Sequence, residues 1–181
     1  MSDLYVKVAH ITEEMLDFNG YLYRLVGCQA RIDEPFDTLI PAEVNVSEGD
    51  IIHTSKCKIV RIDPDADYDR IAIRMDQCDV CAPDQELSKY YDVPYVGMVK
   101  KNEDAHPITY GPDKTKFFKI PIQLKDPDKK TFIVSLLAFG NNTAILDSYP
   151  RFTIITGIAT LKHKKGSERY ELAMKTAEPL E

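Results

Sequence analysis

Four cysteines offer the most specific chemistry in this sequence. Cys28, Cys57, Cys78 and Cys81 all fall in the first half of the 181 residues, and Cys78-Asp79-Val80-Cys81 is a C-x-x-C pair. Four thiolates can hold a tetrahedral zinc ion, but structural zinc sites normally place two such pairs on turns, and Cys28 and Cys57 stand alone in strand-like runs. Reduced core cysteines and no metal are therefore the expectation, with the zinc set as the alternative. A redox role lacks its βαβ setting. No G-x-x-x-x-G-K-[ST], G-x-S-x-G or H-E-x-x-H occurs, and His10, His53, His106 and His163 are far apart in sequence. Asp63 and Asp65 fit a turn that uses such residues for its own hydrogen bonds. The chain reads as a non-enzyme without a cofactor.

Basic loops are the other chemical signal. KDPDKK carries Lys125, Lys129 and Lys130, and KHKKGSER carries Lys162, Lys164 and Lys165. Each follows a strand-like run, so each could follow a phosphate backbone or could be an ordinary solubilising hairpin. Residues 1–90 hold 18 Asp+Glu against 9 Lys+Arg, net −9, and residues 91–181 hold 11 against 14, net +3. The first half would repel a polyanion and the second would tolerate one. No apolar run of membrane-spanning length occurs, and MSDLYVKVAHITEE lacks the pattern of a secretory leader, so a cytoplasmic protein that does not engage a membrane is expected.

The elements that would position these residues read as short strands. FFKIPIQL, TFIVSLLAFG, FTIITGIATL and YELAM are rich in Ile, Phe, Thr and Val and are bounded by Pro, Gly, Asp or Lys clusters. A short helix over NNTAILDSY separates the second from the third, a pattern that suggests a small closed barrel. Earlier, residues 4–11 form a strand and Thr12 caps a helical turn EEMLDF. YLYRLVGCQARI forms a strand bent at Gly27, and FDTLIPAEV, with Pro41, an edge strand or bulge. The strand from Asp50, the loop DPDADYD and RIAIRM mirror the strand from Thr153, KHKKGSER and YELAM, which implies a diverged tandem repeat. Residues 1–82 then form an acidic domain, 83–95 a linker and 96–181 a second domain, whose loop NEDAHPITYGPDKT holds two prolines and a glycine and is expected without regular structure, as a protruding hairpin end or a mobile arm.

Ala138-Phe139-Gly140, the helix ending at Tyr149, Gly157, the lysine-rich loop and Arg169-Tyr170 stand in an order that resembles bacterial and phage single-stranded DNA-binding proteins of the OB-fold type, closest over residues 116–178. The resemblance implies a mainly all-β chain of two tandem OB-fold-like five-stranded barrels with short helices. It implies that Phe139, Tyr170 and His163 stack bases while Lys125, Lys129, Lys130, Lys162, Lys164, Lys165 and Arg169 hold phosphates, with Lys100 and Lys101 assisting. The function it implies is sequence-tolerant binding of single-stranded DNA, or RNA, in replication or repair. A homodimer contact or a replication-protein partner would fall to the acidic first domain. The sequence departs from the family in having no tryptophan, with Ile133 where one often opens the Ala-Phe-Gly strand, and in lacking a glycine-rich acidic tail. The missing tryptophans and the net charge of −6 favour the alternative, a non-catalytic OB-fold scaffold of a replisome or phage that binds no nucleic acid.

Overall fold

The computed structural model describes residues 3–32, 34–63, 70–125, 131–163 and 170–180. They form two compact units that divide between Val93 and Pro94. The first holds β1 (Leu4–Phe18), β2 (Tyr21–Gln29), β3 (Phe36–Pro41), β4 (Ile51–Thr54), β5 (Cys57–Asp63), β6 (Arg70–Met75) and β7 (Asp79–Val80). The hydrogen-bonded order is β5-β6-β3-β2-β1-β4-β7. Because β4 and β5 are two lengths of one strand interrupted at Ser55-Lys56, the ring β1-β2-β3-β6-β5/β4 closes into a five-stranded barrel. Only β3 and β6 pair in parallel among its registers. Alternate residues fill the interior: Val6, Val8, Val26, Ile40, Ile52 and Ile73 are fully buried.

Three local expectations are corrected here. The helical turn after Thr12 is absent, and β1 continues to Phe18 through register shifts at Val8/His10 and Ile11/Met15. EEMLDF fits a period of two as well as a short helix, and pairing with Tyr21–Arg24 decides for strand. Thr12 serves the bulge instead, its Oγ1 donating to the Leu25 carbonyl (2.7 Å) and accepting from the Glu14 N–H (3.1 Å). Pro41 does not mark an edge: β3 lies between β2 and β6, and Pro41 is its last residue. Residues 83–95 are not a bare tether either. Ser88 exchanges backbone hydrogen bonds with Tyr5 and Arg31, and Tyr91 is fully buried with its hydroxyl 2.6 Å from Thr38 Oγ1.

The four cysteines do not gather into one set. Cys28 and Cys57 are buried in strands, Cys78 is buried before β7, and Cys81 is half-buried after it. Among the described residues no three His, Cys, Asp or Glu side chains gather as a metal site. Burial pushes the Cys28, Cys57 and Cys78 thiols up to about 12, with Asp76 adding to the effect at Cys57 and Asp79 at Cys78. The native state therefore keeps protons that an unfolded chain releases above the ordinary thiol value of 9.0, so stability should fall as pH rises from there towards about 12. Thermal melts across that window should show the decline, and native thiol labelling at neutral pH should modify Cys81 alone. Rapid labelling of all four would contradict the burial.

The second unit holds β8 (Asp92–Val99, entering it at Pro94), β9 (Ile108–Tyr110), β10 (Thr115–Lys125), β11 (Thr131–Phe139), α1 (Asn142–Asp147), β12 (Ile154–His163), β13 (Tyr170–Met174) and β14 (Glu178–Pro179). Its order β11-β13-β12-β8-β10, with β10 also paired to β11, closes a second five-stranded ring. The helix falls between β11 and β12, as expected. Lys101 is buried and donates to the Asp147 carbonyl at 2.8 Å, holding the end of α1 and not standing ready for a ligand. A Cβ at Gly157 would overlap the Thr176 carbonyl, so Gly157→Ala should cost about 1–3 kcal/mol. An unchanged melting temperature would show that this close approach is dispensable.

The two rings repeat in register. Val8↔Cys28 and Thr38↔Ile73 correspond to Val99↔Ile122 and Leu136↔Leu172. Val8 donates to Asp50 O (2.8 Å) and accepts from the Gly49 N–H (2.7 Å), just as Val99 donates to Thr153 O (2.8 Å) and accepts from the Phe152 N–H (2.7 Å). These shared registers are what make the repeat visible, since few side chains are shared.

Candidate nucleic-acid interface

In β10 and β11 the even-numbered residues Phe118, Ile120, Ile122, Phe132, Val134 and Leu136 are buried in the barrel. Period two then sends the odd-numbered ones outward. The outward rungs are Phe117↔Phe139, Lys119↔Leu137, Pro121↔Ser135 and Gln123↔Ile133, and the ladder ends at Lys125↔Thr131. From first to last this is about 26 Å of strand, room for about four nucleotides and at the low end of what one OB barrel covers.

One end of the face is aromatic. Phe139 is 42% exposed, lies 5.3 Å from the Phe117 ring, and Phe117 meets Tyr110 edge-on at 6.0 Å. Tyr110 comes from β9, which pairs with the start of β10 and also sets exposed Ile108 beside Phe117. Gly140 follows Phe139 at φ +59, a left-handed turn that takes the chain off the strand while the ring stays at the surface. Lys119 stands mid-face, 3.0 Å from Glu171. The other end carries Lys125, whose side chain lies outside the described residues. Lys129, Lys130, Lys164, Lys165 and Arg169 also lie outside them, and Lys162 is exposed opposite Glu171.

His163 and Tyr170 do not join Phe139. They pair with each other across β12 and β13, ring centroids 4.7 Å apart, two residues beyond the buried Leu161↔Leu172 rung on the same side of the ladder. That side faces the barrel interior, so this half-buried pair sits at the barrel mouth. The expectation of three rings on one wall thus becomes Phe139 with Phe117 and Tyr110. Alternation in FFKIPIQL carries the signal for Phe117. Tyr110 had none, because its Pro- and Gly-bounded loop gives no hint of β9.

Matching registers shows what the first barrel does with the same face. Tyr23↔Pro41 stands where Phe117↔Phe139 does, Leu25↔Leu39 where Lys119↔Leu137 does, and Val60↔Ala72 where Lys162↔Glu171 does. Of these, Tyr23, Leu25, Leu39, Val60 and Ala72 form one apolar cluster with Phe18, and Leu39, Val60 and Ala72 are fully buried. Arg74 replaces Ala173. Its guanidinium lies 5.1 Å from the Phe18 ring centroid and 5.2 Å from that of Tyr23, with Nε donating to Asp76 at 2.8 Å. The rings of the first barrel are already covered by an internal cation, whereas those of the second are open.

Two closed barrels of this connectivity, one with an open aromatic face, make the chain a tandem OB-fold protein. Crystal structures that share the arrangement include the wild-type single-stranded DNA binding protein from Thermus aquaticus (TM-score 0.66, 12% identity, 99% of this chain and 92% of that one) and a deletion mutant of the same protein (0.67, 12%, 98% and 93%). At that identity the likeness defines the fold. No protein-family model and no curated protein matches the sequence. Among the described residues no helix is long and apolar enough to cross a membrane.

Proposed function

We propose that the protein binds single-stranded DNA, with little sequence preference, across the outer face of β10 and β11. The observation that carries this is the run Tyr110–Phe117–Phe139, a line of partly exposed rings at the end of an OB sheet face. Bases stack on such rings whatever their identity, because every base has a π-face, and lysines track the backbone between them. Lys125, Lys129, Lys130, Lys162, Lys164, Lys165 and Arg169 are the proposed phosphate contacts, and the Thermus likeness supports the ligand class. The first barrel is proposed to serve the protein's own assembly or a replication partner: its equivalent face is apolar and covered, and its half of the chain is net −9 (9 − 18) over residues 1–90. Fluorescence anisotropy with labelled oligo-dT at low salt tests the function. Saturable binding that weakens with salt is expected, and its absence at low salt would leave the scaffold reading.

A further inference from the structure

Phe152 is an anomaly that the β10–β11 face does not absorb. It holds φ +74, a backbone conformation that bulky L residues rarely adopt, and the corresponding residue of the first barrel, fixed by the same pair of backbone hydrogen bonds, is Gly49 at φ +93. A phenyl ring thus occupies a position that the other repeat gives to glycine. The ring gains no burial from it: Phe152 is 56% exposed. What it touches is charge, with Lys100 Nζ 4.7 Å and Arg151 Cζ 4.9 Å from its centroid. Glu103 and Asp104 line a shallow cleft beside Arg151, yet neither Lys100 nor Arg151 is within ion-pair distance of a described carboxylate. Strained backbone persists where the ring it displays has a use.

Its place on the barrel suggests that use. The Phe152 N–H bonds Val99 in β8, Val99 pairs with Ile122 in β10, and the Lys100 N–H donates to the Pro121 carbonyl at 3.0 Å. Phe152 therefore stands two strand spacings, about 10 Å, around the barrel from β10. We propose that Phe152, Lys100 and Arg151 form a second contact point for the same single-stranded nucleic acid, an aromatic ring with two cations at backbone reach, which leads the strand sideways off the β10–β11 face. The proposal rests on the function proposed above.

Phe152→Gly separates this role from a structural one, because glycine relieves the backbone conformation while removing the ring. In the full chain its melting temperature should equal or exceed that of the wild type, while affinity for oligo-dT falls about fivefold or more. A Lys100→Gln, Arg151→Gln double variant should make the dependence of log affinity on log salt shallower by about 1.4. Unchanged affinity in Phe152→Gly, or an unchanged salt slope in the double variant, overturns the second contact. If Phe139→Ala weakens binding and Phe152→Gly does not, the β10–β11 reading stands and this one falls. A wild-type chain that fails to bind oligo-dT at low salt removes the function itself.

Discussion

Phe139→Ala combined with Phe117→Ala should weaken oligo-dT binding by about 2–6 kcal/mol, two stacked bases at roughly 1–3 kcal/mol each, while the barrel stays folded. The fold should survive because neither ring belongs to the interior: Phe139 is 42% exposed and the inward rungs are the buried Phe118 and Ala138. The two rings lie 5.3 Å apart on directly opposed residues, so their effects should couple and the double variant should fall short of the sum of the singles. Tyr170→Ala is the contrasting variant. Its ring is paired with His163 at the barrel mouth, so truncation should cost stability more than affinity. The readout is anisotropy beside a thermal melt for each variant. Loss of affinity in Tyr170→Ala with none in the Phe117, Phe139 pair would move the binding surface to the other end of the barrel and reject the face argued here.

The reversal of Tyr170 and Phe117 shows where the sequence stops speaking. The long strands, the short helix and the chain order of the second barrel follow from apolar runs and their Pro, Gly and Lys boundaries and are found, whereas β9 and β14 are not foreshadowed. Which side of a strand faces out depends on register, and register is set by partners far along the chain. Tyr170 faces inward because its strand is fixed by Leu161↔Leu172 across the neighbouring strand and by Leu136↔Leu172 much farther along the chain, registers that no local pattern announces. Thr12 misleads for a nearer reason: a threonine before two glutamates suits a helix start, and only the hairpin pairing of Leu16 with Tyr23 makes it a bulge residue. The repeat could be glimpsed from strand and loop lengths, but its functional inequality could not. Leu25, Val60 and Ala72 look like any core residues in sequence. Only alignment of registers shows that they hold the positions of Lys119, Lys162 and Glu171, and that Arg74 fills space left open by Ala173.

Salt should act on binding nearly as strongly as loss of the rings. If about five cations of the second barrel meet phosphates, log affinity should fall with log salt at a slope of about −3.5, which is about a hundredfold between roughly 50 and 200 mM. The proposed set is Lys125, Lys129, Lys130, Lys162, Lys164, Lys165 and Arg169, so five is a partial engagement of it. Lys119 is a poor member despite its central position, because Glu171 lies 3.0 Å away and any phosphate would have to displace a carboxylate that is itself largely buried. Lys119→Gln should therefore leave the slope nearly unchanged, whereas Lys129→Gln with Lys130→Gln should make it shallower by about 1.4. These charges act on the backbone and not the bases, so the same variants should weaken oligo-dT and oligo-dC alike. A slope near zero in the wild type, with the rings still required, would mean that stacking alone holds the strand and that the lysine loops only keep the barrel in solution.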